Sequence, residues 1–365
     1  MRVTSKMMQN TYLKNTNALA SGTQNSLNQL SSGSKIFRAS ENTAAAVKAY
    51  QVRTSLQRNV GYSSNLDHAT AVLSSSESVL MGIEDTLKEA KSKIVQALNT
   101  PTGQEGRKII AGELKSIQDQ IFQALNTNDS GFYIFGGSNT DEKPFTLGED
   151  GSLMYNGHKL SDLPNDVNDT TVKTLSDDSL YLDIGLAPEF LESGKVDKNT
   201  VFEYSITGID VVGYGTSGLI SAKDGSVVYE LDANGQRVTD PITGDPVQAQ
   251  APNNLYDILG SLVAEFSKPD GEYNSDLADA LYSRFETAVD TVTTQLTAIG
   301  AKTSYIEYSE SRISTQDLNL KEKQSSIEDV DYAESYTTFT SLYTSYQAAL
   351  QVGSKIIGPS LFDYL

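Results

Sequence analysis

The 365-residue sequence has no cysteine, no tryptophan, two histidines and nine prolines. Without cysteine there is no disulfide framework, thiolate zinc site or thiol nucleophile. The two histidines, His68 and His158, lie far apart, and solvent-facing or structural roles suit them better than that of a catalytic base. No run approaches the roughly 20 apolar residues that span a bilayer. The start, Met1-Arg2-Val3-Thr4-Ser5-Lys6-Met7-Met8-Gln9-Asn10, lacks an apolar core of signal-peptide length. The expectation is a protein that stays in the cytoplasm or leaves by a route that ignores cleavable signals. Basic residues are also short, 28 against 47 acidic ones, for a net charge of -19. The deficit sits in the middle: residues 145–272 hold 7 Lys+Arg and 22 Asp+Glu, whereas 1–144 hold 15 and 12 and 273–365 hold 6 and 13. Such an acidic body repels phosphate, which argues against nucleic acid and anionic membrane as partners. Opposite signs on the two arms favour their mutual pairing, although exposed charge pairs contribute only about 0–1 kcal/mol each.

Proline is missing from residues 1–100 and 270–358, and 7 of the 9 prolines and 17 of the 27 glycines lie between Gly131 and Gly271. Because proline breaks helix interiors and glycine weakens them, this partition predicts helices at 5–30, 43–99, 104–127, 273–327 and 331–357. The turn Asn99-Thr100-Pro101-Thr102-Gly103 makes the third helix a hairpin partner of the second. Between them, Asp129 to Pro269 reads as β structure. Runs such as Val201–Ile206, Ile209–Val212 and Ser226–Leu231 alternate with Asp-Gly and Asn-Gly turns at Asp150-Gly151, Asn156-Gly157, Asp224-Gly225 and Asn234-Gly235. The expected class is α+β: a long antiparallel helical coiled-coil rod made by the N- and C-terminal arms, with a central mainly-β insert. The expected domains are terminal arms at 1–42 and 330–365, a helical rod at 43–140 and 273–329, and an exposed insert at 141–272.

The helices carry their partners in their spacing. A seven-residue stripe runs from Val52 through Asn59, Leu66, Leu73, Leu80, Leu87 and Ile94, with Tyr62, Ala69, Ser76, Ile83, Ala90 and Ala97 three residues after the later members. A second runs from Phe285 through Val292, Ile299, Ile306, Ile313, Leu320 and Ile327. A helix with so narrow an apolar seam must bury it against another helix. The predicted rod core is therefore Leu66, Leu73, Leu80, Leu87, Ile94, Ile299, Ile306, Ile313 and Leu320. Terminal stripes extend beyond that rod, and their natural partners are the same arms of neighbouring copies. Leu13, Leu27 and Leu30 at one end, and Tyr336, Phe339, Tyr343, Tyr346 and Leu350 at the other, form the predicted subunit-assembly surface.

Motifs for chemistry are weak. Gly213-Tyr-Gly215-Thr-Ser-Gly218 matches G-x-G-x-x-G after a plausible strand, but the following residues turn into another strand where a pyrophosphate needs a helix N-terminus. Asp232, Asn234, Gly235, Asp240 and Asp245 do not have the spacing of a calcium loop, and hairpin turns explain them better. Pairs such as Glu84-Asp85 and Glu328-Asp329 read as solvated helix faces. No catalytic, cofactor-binding or metal-ligating residues are expected, and no enzymatic activity.

Leu27-Asn-Gln-Leu30-Ser-Ser-Gly33-Ser-Lys35-Ile36 with Ala39–Ala46, and Ser326–Glu334 with Gln347–Leu350, resemble the terminal signatures of the bacterial flagellin superfamily. Leu87–Asn99 resembles its inner rod helix. Within it, Gly131-Phe-Tyr-Ile-Phe-Gly-Gly137-Ser-Asn-Thr140 with Pro144-Phe145, and the tail Ser360-Leu361-Phe362-Asp363-Tyr364-Leu365, resemble the flagellar hook-associated protein 3 branch, at the distal hook-filament junction. The resemblance implies a non-enzymatic axial protein of the flagellum, with terminal helices lining a tube. It would be exported unfolded through the flagellar type III channel and assembled with itself as a ring. The implied partners are the preceding hook-associated junction protein, flagellin and an export chaperone. The competing readings are filament flagellin itself, and a helical-stalk adhesin or hydrolase with a functional β domain.

Overall fold

A computed structural model of the chain describes residues 5–99, 103–129, 131–221, 225–230, 236–239 and 245–356. The Asn234-Gly235 turn, Asp224, Asp232, Asp240 and the tail Ser360–Leu365 lie outside these residues. Five long helices carry the two ends: α1 (Ser5–Ser32), α2 (Thr43–Asn99), α3 (Gln104–Leu125), and, after the middle region, α7 (Ser275–Glu328) and α8 (Tyr332–Ile356). The chain divides into two compact units, Met1–Gly61 with Arg312–Leu365, and Tyr62–Ser311. Both α2 and α7 contribute residues to each unit.

The heptads decide which faces close. In α2 Ala49, Val52 and Asn59 are buried, and from Leu66 onward Leu66, Ala69, Leu73, Ser76, Leu80, Ile83, Leu87, Ala90, Ile94 and Ala97 follow in steps of three and four without a break. In α7, Phe285, Val292, Ile299, Ile306 and Ile313 are buried and Leu320 is half-buried. Each fully buried aliphatic side chain contributes about 1.5–3 kcal/mol, so these seams hold the helices while the propensities of a serine- and threonine-rich sequence do not. Cross-helix bonds fix α2 and α7 as antiparallel. In the larger unit Lys91 Nζ meets Glu286 Oε1 at 2.7 Å. In the terminal unit Asn59 Nδ2 donates to the Ile313 carbonyl at 3.2 Å and Arg53 Nε to Glu328 Oε1 at 2.7 Å. Helix α3 folds back as expected, burying Ile110, Leu114, Ile117 and Ile121 and joining α2 through Lys93 and Glu113, 2.7 Å apart.

Among the described residues the middle region holds nine short strands, β1 (Asn128–Asp129), β2 (Phe132–Tyr133), β3 (Phe145–Leu147), β4 (Leu153–Tyr155), β5 (His158–Lys159), β6 (Tyr181–Leu182), β7 (Phe202–Glu203), β8 (Thr216–Gly218) and β9 (Gln250–Pro252). They form one antiparallel sheet in the order β3-β4-β5 and the pairs β1-β2, β6-β7 and β8-β9. Three helices interrupt what the sequence pattern gave as β structure: α4 (Thr170–Ser176), α5 (Gly208–Val212) and α6 (Leu255–Phe266). Ile209–Val212, predicted as a strand, closes into α5. Asp210 accepts from the hydroxyls of Thr207 (2.6 Å) and Ser176 (2.9 Å) and so ties the turn shut, while Ile209, Val211 and Val212 go inward. Helix α6 is capped by Asn254, whose side chain accepts from the Asp257 N–H. Its apolar residues Leu255, Ile258, Leu259, Leu262 and Phe266 recur at helical spacing and are buried, with Gln118 of α3 donating to the Tyr256 carbonyl at 2.7 Å. Of the other predicted runs, Val201–Ile206 is paired only at Phe202–Glu203, and the 226–231 run makes isolated bridges at Val227 and Tyr229.

The Gly131–Phe145 segment packs this region against itself. Phe135 and Phe145 are fully buried, and Gly137 turns the chain at φ 66°. Tyr155 donates its hydroxyl to the Phe135 carbonyl at 3.1 Å and accepts from the Gly208 N–H at 3.3 Å. The glycine motif at 213–218 follows helix α5 and leads into β8, with Gly213 and Gly215 both at φ 81°. Among the described residues the motif leads into strand β8 rather than the helix N-terminus on which a pyrophosphate is usually held.

Candidate assembly surface

In the terminal unit α1 and α8 pair antiparallel, each along one heptad stripe. On α1 the stripe of covered positions runs through Gln9, Tyr12, Thr16, Leu19, Thr23, Ser26 and Leu30, with Ala20, Gly22, Asn28 and Gln29 half-buried beside it, and on α8 it runs through Ser335, Phe339, Leu342, Tyr346, Ala349 and Gly353. Most of the α1 seam is polar or small. Close approach takes the place of bulk: Gly22 sits where a Cβ would touch Leu342, and a Cβ on Gly353 would collide with the Tyr12 hydroxyl. That hydroxyl donates to the Ala349 carbonyl at 3.0 Å. The hydroxyl of Thr16 is buried without a partner, a cost of about 1–3 kcal/mol set against the pairing.

Several large apolar side chains turn outward. Leu13, Leu27, Tyr336, Tyr343 and Leu350 are each 45% or more exposed. Tyr336, Tyr343 and Leu350 recur every seven residues and form a second stripe beside the one used internally. Met7, Met8 and Val352 are exposed as well. Of the predicted assembly residues, Leu30, Phe339 and Tyr346 lie half-buried on the α1–α8 seam, and Phe339 stacks on Tyr343 with ring centroids 5.8 Å apart. The sequence pattern missed Tyr12, Thr16, Thr23 and Ser26, because a search for apolar heptads passes over a polar seam. The signal was the small residues Gly22, Ala349 and Gly353 at matching spacing.

At the join with α2 and α7, Val330 N–H donates to the Gly33 carbonyl at 3.0 Å and Lys35 N–H to the Glu328 carbonyl at 2.6 Å. Glu328 is itself buried, and the guanidinium of Arg53, its pKa raised by the hydrogen bond to this carboxylate, neutralises it. Elsewhere His68 is exposed and edge-on to Tyr204, with centroids 5.5 Å apart, and His158 is exposed in β5. No group of three or more metal-ligating side chains occurs among the described residues, and none of the described helices is long and apolar enough to cross a membrane.

Residues 3–140 match the bacterial flagellin N-terminal helical region, and residues 283–365 match the bacterial flagellin C-terminal helical region. The chain belongs to the flagellin family. Two relatives, both flagellar hook-associated protein 3, align along nearly its whole length. The one from Escherichia coli strain K12 is 23% identical over 342 residues, covering 92% of this chain and 90% of that protein. The one from Salmonella typhimurium is 24% identical over 346 residues, with the same coverage. Among solved structures, flagellar hook associated protein-3 from Legionella pneumophila superposes with a TM-score of 0.56 at 14% identity, over 76% of this chain and 98% of that one. At that identity the superposition speaks for the fold, long terminal helices around a small β region. The two matched regions contain α1 to α3 and α8 with most of α7.

Proposed function

We propose that this chain is a structural axial protein of the bacterial flagellum that forms the junction ring between hook and filament. The observation that carries the reading is the uncovered stripe of Tyr336, Tyr343 and Leu350 with Leu13 and Leu27, on terminal helices that belong to the flagellin family. Large apolar side chains left exposed at repeated positions on paired helices are the kind of surface that marks an interface. In this reading residues 1–42 and 330–365 line the tube, 43–140 and 273–329 form the surrounding rod, and 141–272 face solvent. The role is non-enzymatic. The partners are further copies of the chain, the preceding hook-associated protein below and flagellin above, with an export chaperone holding the terminal helices before secretion. The chain leaves the cell unfolded through the flagellar channel, a route that suits helices stabilised mainly by neighbours.

Filament flagellin is the competing reading. Antibody labelling of intact flagella separates the two. A single band where hook meets filament is expected, and label along the filament would replace the junction role with that of flagellin.

A further inference from the structure

An open cavity of about 420 Å³ lies in the larger unit between α2 and the β1–β2 segment. Its walls are Ala71, Val72, Ile134 and Leu180 with the rings of Phe132 and Tyr204. That size accepts one or two large side chains. Its rim is acidic. Asp129 is on the wall, bonded to Ser75. Asp178 accepts from Ser138 N–H beside the wall residue Gly137. Asp67 stands exposed one turn from Ala71. The nearby cation Lys302 is held by the Ser205 carbonyl at 3.0 Å, with Glu203 at 3.7 Å.

In the terminal unit, the loop between α1 and α2 presents an exposed Phe37 flanked by exposed Lys35 and Arg38. The Arg38 guanidinium lies 5.9 Å from the Phe37 ring. Glu41, the one acidic residue among the first 61, accepts from the backbone N–H groups of Phe37 and Arg38 and sets the loop. The same contrast runs through the whole chain. The terminal unit holds 12 Lys+Arg and 8 Asp+Glu, and the larger unit 16 and 39.

We propose that the Lys35-Ile36-Phe37-Arg38 loop of one copy seats Phe37 in the α2/β1–β2 cavity of a neighbouring copy. The aromatic ring meets Phe132 and Tyr204, and the two cations meet the aspartate rim. Charge selects this occupant over another exposed aromatic tip, Phe190-Leu191, because that tip is flanked by Glu189 and Glu192 and the rim repels it. A knob and a hole on different surfaces make a head-to-tail contact, which builds a ring or helix of copies rather than a closed pair. This inference rests on the self-assembly in the function proposed above.

The absence of cysteine makes a clean test possible. Phe37→Cys and Phe132→Cys copies, each with its own tag, are co-expressed in flagellated cells, and isolated flagella are treated with a short bis-maleimide. Only different copies can then be joined. Ala71→Cys serves as a second wall site, and circular dichroism confirms that each variant folds. The expected result is heterodimer at least tenfold above that from a Phe190→Cys and Phe132→Cys mixture, falling severalfold when Arg38→Glu is added. Flagella that contain the chain but give no 37–132 or 37–71 product would overturn the contact while leaving the junction reading intact. A Phe190–Phe132 product equal to it would overturn the choice of occupant. Absence of the chain from flagella would sink the junction reading, and failure of the purified, concentrated full-length copies to cross-link would then overturn the contact as well.

Discussion

Leu80 and Met81 are neighbours on α2, and the heptad sends them in opposite directions. Leu80 is fully buried, whereas Met81 is 51% exposed. Leu80→Ala removes three buried carbon atoms from a seam packed by residues of α2 itself and of its partners. Lost transfer free energy and the remaining cavity together cost about 2–5 kcal/mol. For a unit of this size, about 3 kcal/mol lowers the melting temperature by roughly 6–12 °C. Met81→Ala should stay within about 0.5 kcal/mol, a shift of a degree or two. Leu80→Asp, which buries an unpaired charge, should prevent the larger unit from folding. Thermal melts followed by circular dichroism at the helix band compare the three directly. Equal melting temperatures for Leu80→Ala and Met81→Ala would refute the seam as drawn, since both truncate a large apolar side chain and only Leu80 faces the core.

Asn59→Leu should stabilise by about 1–2 kcal/mol, read as a higher urea midpoint, because Asn59 is buried with its Oδ1 unpartnered and a leucine continues the seam. A lower midpoint would mean that the bond to the Ile313 carbonyl outweighs that cost. Gly208→Ala should destabilise by about 1–3 kcal/mol, since the new methyl meets the Phe145 ring at 2.5 Å and Tyr155 at 2.8 Å; an unchanged melt would show that those rings can shift. Glu286 has its pKa lowered from 4.5, chiefly by the hydrogen bond from Lys91, and Asp177 from 3.8, chiefly by that from Lys198. Both groups bind protons less readily folded than unfolded, so their stabilisation is complete above those values and lost as pH falls through the lower folded ones. Glu286→Gln should flatten the acid limb of a stability-against-pH curve measured from pH 6 to 2, and an unaltered limb would dismiss the pair as a contributor. Amide exchange on purified chain should be faster in α1 and α8 than in Leu66–Asn99, because a polar seam holds the first pair and an aliphatic one the second. Equal protection would show that the ends are fully partnered in the monomer.

The long helices were legible because their signals are periodic and redundant. The expected span 43–99 is α2 to the residue, and 273–327 differs from α7 by two residues at one end and one at the other. Proline absence fixed the extent, and the seven-residue repeat fixed the buried face. Strands of two or three residues, by contrast, have no period to read, and Gly208–Val212 is too short for propensity to decide against its own capping bonds. Helix α6 has apolar residues at helical spacing, but it is one short helix set between strand β9 and the turn residues around Pro269, inside a stretch read as β from its turns. At the candidate assembly surface the apolar spacing picked out Leu13, Leu27, Tyr336, Tyr343 and Leu350, which are exposed. The complementary seam did not, because Tyr12, Thr16, Thr23 and Ser26 earn their burial from close backbone approach to Leu342, Ala349 and Gly353, a fact of three dimensions.

Removal of the chain from cells that build flagella tests the central claim most directly, with electron microscopy of the flagella and assay of flagellin in the medium. A junction protein predicts complete hooks without filaments and flagellin released as monomer, restored by the intact gene. Filaments of normal length on normal hooks would contradict the account.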